Sequence, residues 1–146
     1  MTTGSSTHHS RSESDTAGIA TQLGRRLAGG SVILLFGDLG AGKTAFVRGL
    51  VKGVDGDSSR VSSPTFTLVQ PYTGRLLTVQ HVDLYRLGPD DVADLGLEEL
   101  STPSSIVAVE WADRLAQHPA DAICVHIDDL GGDDREIRIS GAPEGS

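Results

Sequence analysis

Val32-Ile33-Leu34-Leu35-Phe36-Gly37-Asp38-Leu39-Gly40-Ala41-Gly42-Lys43-Thr44 decides how the rest of the chain is read. Its apolar opening, Val32 to Phe36, suits a central parallel strand covered by helices on both faces. Gly37 to Thr44 then fits G-x-x-x-x-G-K-[ST], and helical spacing follows in Phe46, Val47, Leu50 and Val51. Strand, glycine-rich loop and helix in that order make a phosphate-binding loop. The glycines allow a turn tight enough for successive N–H groups to point inward, and the helix adds its positive end. Lys43 supplies a point charge for β- and γ-phosphates, and the Thr44 hydroxyl is placed to ligate Mg²⁺. The bland alternative is a glycine-rich turn with a surface lysine and a capping threonine; the strand-loop-helix setting argues against it.

On the N-terminal side, Ser14 or Asp15 is expected to cap a helix carrying Ile19, Ala20, Leu23 and Leu27, ended by Gly29-Gly30. Residues 1–12 are rich in Ser, Thr and Gly without periodic apolar positions and read as a flexible tail. His8 and His9 there lack further flanking ligands, so a metal role is the weaker reading.

On the C-terminal side, the helix from Lys43 to about Lys52 is stopped by Gly53. The hydroxyl-rich loop around Ser63-Pro64-Thr65-Phe66 precedes an alternating strand. Thr65 is either a switch residue reaching Mg²⁺ or the γ-phosphate, or a turn residue with a satisfied hydroxyl. Tyr72-Thr73-Gly74-Arg75 reads as a hairpin connection and Leu76 to Val82 as the returning antiparallel strand. That strand ends at Asp83, which either positions water or metal, or pairs with Arg86 or caps the next element. Pro89 to Leu95 and Leu97 to Leu100 read as short helical pieces with an acidic, solvated face. The apolar strand Ser105 to Val109 delivers Glu110, as a buried strand delivers a metal-binding acid beside phosphates; otherwise Glu110 caps the helix starting near Ala112. Trp111, the only tryptophan, is a packing or a base-stacking residue and a natural fluorescent reporter. Ala122 to Ile127 and Glu136 to Ile139 fit a C-terminal antiparallel hairpin in which Arg135 is by default a surface residue, and 141–146 reads as frayed.

The length of 146 residues fits one domain, 13–140, between the two loose ends. The longest apolar run is far short of a membrane span and no signal-peptide pattern opens the chain, so a cytoplasmic location with no membrane partner is expected. The single cysteine, Cys124, reads as a buried structural thiol. A net charge of −8 argues against broad attraction to nucleic acid. Yet Arg25, Arg26, Lys43, Arg48, Lys52 and Arg60 gather in the first half, where a nucleotide site would benefit from them.

Taken together, the phosphate loop, Ser63-Pro64-Thr65-Phe66, His81-x-Asp83-Leu84-Tyr85-Arg86 and Glu110-Trp111 resemble the TsaE family, the small bacterial ATPases of tRNA threonylcarbamoyladenosine modification. The resemblance runs from about Asp15 to Ile139. It implies an α/β, P-loop NTPase-like three-layer fold with parallel central strands flanked by antiparallel ones. It implies Mg²⁺ and ATP as cofactors, with ATP rather than GTP resting on the resemblance alone. It also implies partnership with TsaD and TsaB, where TsaD transfers threonylcarbamoyl to adenosine 37 of tRNAs reading codons that begin with A, and tRNA is met only through that complex. Carried over, the Gly37 to Thr44 loop binds phosphates, Thr44 and Glu110 hold Mg²⁺, and Asp83 helps place water. Thr65 lies on the γ-phosphate side, Trp111 flanks the site, and Thr16 makes a contact near the nucleotide. Ala112 departs from the proline many relatives carry. A nucleotide-dependent interaction switch and a small-molecule kinase remain the alternatives, the latter without a recognisable lid of paired arginines. No arginine is clearly placed as a finger, a part worth on the order of 10³–10⁵-fold, so slow hydrolysis by the lone chain is expected.

Overall fold

A computed structural model describes residues 3–37, 42–61, 69–84, 97–112, 115, 119 and 121–143. Seven strands form one sheet: β1 (Thr3–Ser10), β2 (Val32–Phe36), β3 (Val69–Thr73), β4 (Thr78–Asp83), β5 (Ser105–Glu110), β6 (Ile123–Gly131) and β7 (Asp134–Pro143). Across the sheet they run β1-β7-β6-β2-β5-β4-β3. The inner four are mutually parallel: β6 pairs β2, β2 pairs β5 and β5 pairs β4 in one direction. Antiparallel partners close both flanks, β3 on β4 at one end and β7 on β6, then β1 on β7, at the other. This is the mixed sheet expected from the apolar runs in the centre and the alternating stretches outside them.

Two helices, α1 (Glu13–Arg26) and α2 (Lys43–Gly53), cover one face. Alternation along the strands sorts the side chains: Ile33 and Leu35 of β2 and Ile106 and Ala108 of β5 join Ala20, Leu23, Phe46, Val47 and Leu50 in one core cluster. Leu34, Val107 and Val109 point the other way, with Val82, Leu84 and Ala112, and are partly covered by Leu100 of the short helix α3 (Leu97–Leu100), Trp111 and Leu115. The α1–α2 contact depends on a missing side chain. A Cβ on Gly49 would stand 2.1 Å from the backbone oxygen of Ala17, so only glycine permits this approach. Thr21 Oγ1 then bridges the helices, donating to Ala17 O at 2.8 Å and to Gly49 O at 3.1 Å.

Several expectations need correction. The N-terminal tail is in large part a strand: Thr3 to Ser10 pair with β7 over its length, with an irregularity between Gly4 and Ser5. Its residues are Thr, Gly, Ser and His, so main-chain hydrogen bonds hold it and hydropathy does not reveal it. The C-terminus is likewise ordered further than expected, because β7 continues to Pro143. Helix α1 is capped by Ser12, whose hydroxyl accepts from the Asp15 N–H at 3.0 Å, and not by Ser14 or Asp15. It ends at Arg26, before Gly29-Gly30, and α2 includes Gly53. Cys124 is half-buried, against the second cluster. No helix among the described residues is long and apolar enough to cross a membrane. The Pro64 loop with Thr65, the segment from Tyr85 through Leu95 with Arg86, and Asp38 to Ala41 of the phosphate loop lie outside the described residues.

Candidate functional site

Parallel strands present their carboxyl ends on one edge of the sheet, the usual location of ligand crevices in open α/β folds. Here β2, β5 and β4 finish level with one another, since Leu35 is the partner of Glu110 and Glu110 of Asp83. The chain leaves β2 through Gly37, and Gly42 is the N-cap of α2. Gly42 takes φ 108° and ψ 18°, a left-handed geometry that a side chain would strain. Among the described residues no side chain caps this helix end and no acid occupies its first turn, which leaves its positive pole suited to an anion.

Lys43 opens α2 and is 4% exposed. Its Nζ donates to the Gly37 carbonyl at 2.6 Å, tying the two ends of the loop, and lies 3.6 Å from the centroid of the Trp111 ring. A cation over an indole face is stabilised by about 0.5–2 kcal/mol, more as water is excluded. Trp111 holds that position with φ 60°, in the left-handed region where a bulky side chain costs about 1–3 kcal/mol. Backbone strain immediately after Glu110 therefore accompanies the contact between the β5 end and Lys43. Thr44 is half-buried one residue further into α2.

Glu110 is 4% exposed, and its Oε2 meets Nε2 of His81, which is fully buried. His81 faces Ala108 in the β4–β5 register, so Glu110, two residues on, is its diagonal neighbour on the same face. Asp83, also two residues beyond His81, is half-buried beside Glu110. Among the described residues no group of three or more His, Cys, Asp or Glu side chains forms a metal cage. The donors present, one buried carboxylate, a neighbouring carboxylate and the Thr44 hydroxyl, suit Mg²⁺, which keeps several waters and takes the rest of its oxygens from one or two carboxylates and phosphates.

Thr16 is buried on α1, bonded through Oγ1 to Ser10 Oγ at 2.7 Å, and its Cγ2 is 4.0 Å from where a Gly42 Cβ would stand. It borders a cleft of about 70 Å³ together with Gly42, Ala45 and Arg135. Arg135 is thus brought near the loop, but its Nη1 clips its own hairpin, donating to Asp129 Oδ1 at 3.0 Å and to the Gly132 and Asp134 carbonyls at 2.8 Å. His8 Nε2 meets Ser6 Oγ at 2.9 Å, and His9 Nε2 lies 3.6 Å from Asp134 Oδ1.

Of the residues singled out in the sequence, Lys43, Thr44 and Thr16 gather at the start of α2, and Glu110, Trp111 and Asp83 at the adjoining strand ends. His81 was not assigned a role there. The signal available was its period-two spacing from Asp83, which places both on one face of β4, but only the register with β5 shows that this face meets Glu110.

A family profile described as threonylcarbamoyl adenosine biosynthesis protein TsaE matches residues 10–137. The tRNA threonylcarbamoyladenosine biosynthesis protein TsaE of Treponema pallidum is 41% identical over 133 residues, covering 90% of this chain and 97% of that one. The proteins of the same name from a Nostoc species and from Bacillus subtilis are 45% and 39% identical, covering 75% and 76% of this chain and 70% of each relative. The crystal structure of Bacillus subtilis YdiB superposes with a TM-score of 0.74 at 28% identity, over 98% of this chain and 89% of that one. The profile match over residues 10–137, the relatives aligned over most of the chain and the shared fold converge, and the chain belongs to the TsaE family of tRNA threonylcarbamoyladenosine biosynthesis proteins.

Proposed function

We propose that this chain is a P-loop ATPase subunit that supports threonylcarbamoylation of adenosine 37 in tRNAs reading codons that start with A, acting in the cytoplasm with TsaD and TsaB. One observation carries the catalytic part of this reading: a covered lysine at an uncapped helix N-terminus, in contact with the residue that follows a buried strand-end glutamate. Lys43 and the main-chain N–H groups of the Gly37 to Thr44 loop bind the phosphates of ATP. On binding, the Lys43 ammonium exchanges the Gly37 carbonyl for phosphate oxygens, which gain a charge-assisted partner. Thr44 and Glu110 hold Mg²⁺, which neutralises charge developing on the phosphates when bound. Asp83 accepts a hydrogen bond from the water that attacks the γ-phosphorus, giving ADP and phosphate, and Trp111 walls the site. Thr65 belongs to the γ-phosphate side and Thr16 to the rim near Gly42. The transfer to tRNA is made by TsaD, and an acidic subunit of net charge −8 meets tRNA only through the complex.

Phosphate release from Mg-ATP is the test, measured on the chain alone and with TsaD and TsaB. Slow release alone and strong stimulation by the pair are expected. In the same assay Lys43→Ala abolishes tight nucleotide binding, read by Trp111 fluorescence, while far-ultraviolet circular dichroism stays unchanged. Unaltered affinity in Lys43→Ala refutes the phosphate-loop assignment, and binding without release in either condition favours a nucleotide-dependent switch.

A further inference from the structure

We propose that His81 is a positioning residue that sets the orientation of the Glu110 carboxylate, an inference that rests on reading Glu110 as the acid of a magnesium–nucleotide site. An imidazole and a carboxylate are buried together where β4 and β5 lie side by side, at 0% and 4% exposure, in a layer otherwise filled by Val79, Ile106 and Ala108. Burying such a pair is costly unless each satisfies the other, and a merely space-filling role at position 81 is open to any apolar side chain. The register explains how the pair forms. Glu110 is diagonal to His81 and reaches back along β5 to meet Nε2.

An ionised carboxylate only accepts, so the ring must carry its proton on Nε2 to donate to Oε2. Nδ1 is buried without a hydrogen-bond partner among the described residues, which agrees with a ring whose single N–H is committed to Glu110. Tyr72 on β3 stands over the other flank of the imidazole, ring centroids 6.3 Å apart and tilted by 36°. With Oε2 held in this way, the carboxylate cannot swing freely, and its remaining coordination capacity is presented in one direction. The arrangement parallels hydrogen-bonded support of metal-ligating carboxylates, where loss of the supporting partner typically costs about 10–100-fold in metal affinity or activity.

The test measures Mg²⁺ rather than turnover. ADP affinity is determined by titration calorimetry without Mg²⁺ and across a Mg²⁺ series, for the wild-type chain and for His81→Leu, His81→Gln and His81→Asn. The glutamine amide nitrogen reaches the place of Nε2 and the asparagine nitrogen does not. In His81→Leu and His81→Asn, the Mg²⁺ concentration giving half the effect rises about 10–100-fold while Mg²⁺-free ADP affinity holds within about threefold. In His81→Gln the half-effect concentration stays within about threefold of wild type. On a Glu110→Gln background, replacing His81 adds no further loss, because its effect passes through that carboxylate. Wild-type Mg²⁺ dependence in His81→Leu, or equal behaviour of the Gln and Asn variants, overturns the proposal. Where His81→Leu shows no cooperative melt, the Gln–Asn contrast decides alone. Absence of Mg²⁺-dependent ADP binding in the wild-type chain overturns the underlying site and this inference with it, whereas failure confined to the variants overturns only the role of His81.

Discussion

Gly49→Ala adds one methyl group at the tightest point between the helices, and its effect follows from where that carbon must go. The new Cβ would lie 2.1 Å from Ala17 O and 2.6 Å from the Ala20 Cβ. A carbon–oxygen contact relaxes at about 3.3 Å, so α2 must retreat by about 1 Å. Ala17 O is main chain and cannot rotate aside, and the retreat also stretches the two hydrogen bonds made by Thr21 Oγ1. Overpacking of this kind costs up to about 3 kcal/mol. Alanine in place of glycine inside a helix returns about 1 kcal/mol, leaving a net loss of about 2 kcal/mol and a fall in Tm of about 4–8 °C. Gly18→Ala is the matched control. Gly18 lies inside α1 with nothing within 4 Å of its Cβ position, so the propensity gain stands alone and Tm rises by about 2–4 °C. The loss has a functional echo, because Lys43 and Thr44 ride on the first turn of α2. If the chain is the ATPase proposed above, a displacement of about 1 Å there lowers its phosphate release by on the order of 10²-fold. Calorimetric melts of the two variants, with the release assay, check both statements. A Gly49→Ala chain melting at or above the wild type would refute the close-approach argument.

Two further outcomes are expected. Ser12→Ala destabilises by about 1 kcal/mol through loss of the bond from Asp15 N–H, whereas Ser14→Ala, one turn position away, changes stability by less than about 0.5 kcal/mol; urea midpoints separate the two. His126, stacked on Phe36 with ring centroids 4.6 Å apart, has its pKa lowered by desolvation first and by the Arg138 charge second, against the opposing pull of Asp128. The unfolded chain then binds that proton more readily than the folded one, so this contribution is full at neutral pH and is lost as pH falls below about 6.5. Relative to His126→Gln, the wild-type urea midpoint should decline between pH 7.5 and 5.5, and a constant difference would contradict the assignment.

The centre of the sheet was legible because burial on both faces writes continuous apolar runs, as in Ile33 to Leu35 and Ile106 to Val109. The β3–β4 and β6–β7 hairpins were legible from alternation and turn residues. The polar strand β1 was not, since its stability comes from pairing with β7 across almost the whole length of the chain. At the site, residue types and spacing pointed to Lys43, Thr44, Glu110 and Trp111. The contact of Lys43 with the indole and the left-handed Trp111 backbone depend on where two distant segments end in space. The His81–Glu110 pair depends on strand register, which residue spacing along one strand does not contain.

The first ten residues also carry a practical warning. A hydropathy plot marks them as dispensable, and a chain trimmed to begin at Arg11 is the natural choice for crystallisation or tagging. Trimming there strips the covering strand from β7 and turns a paired ribbon into an open edge, with Ile137 and Ile139 on its inner side. Bare edges recruit strands from other molecules, so the shortened protein is set to aggregate. It also loses the Ser10 hydroxyl that holds Thr16 beside Gly42. The sheet edge and the start of α2 are therefore sealed by the same stretch of serine, threonine and histidine.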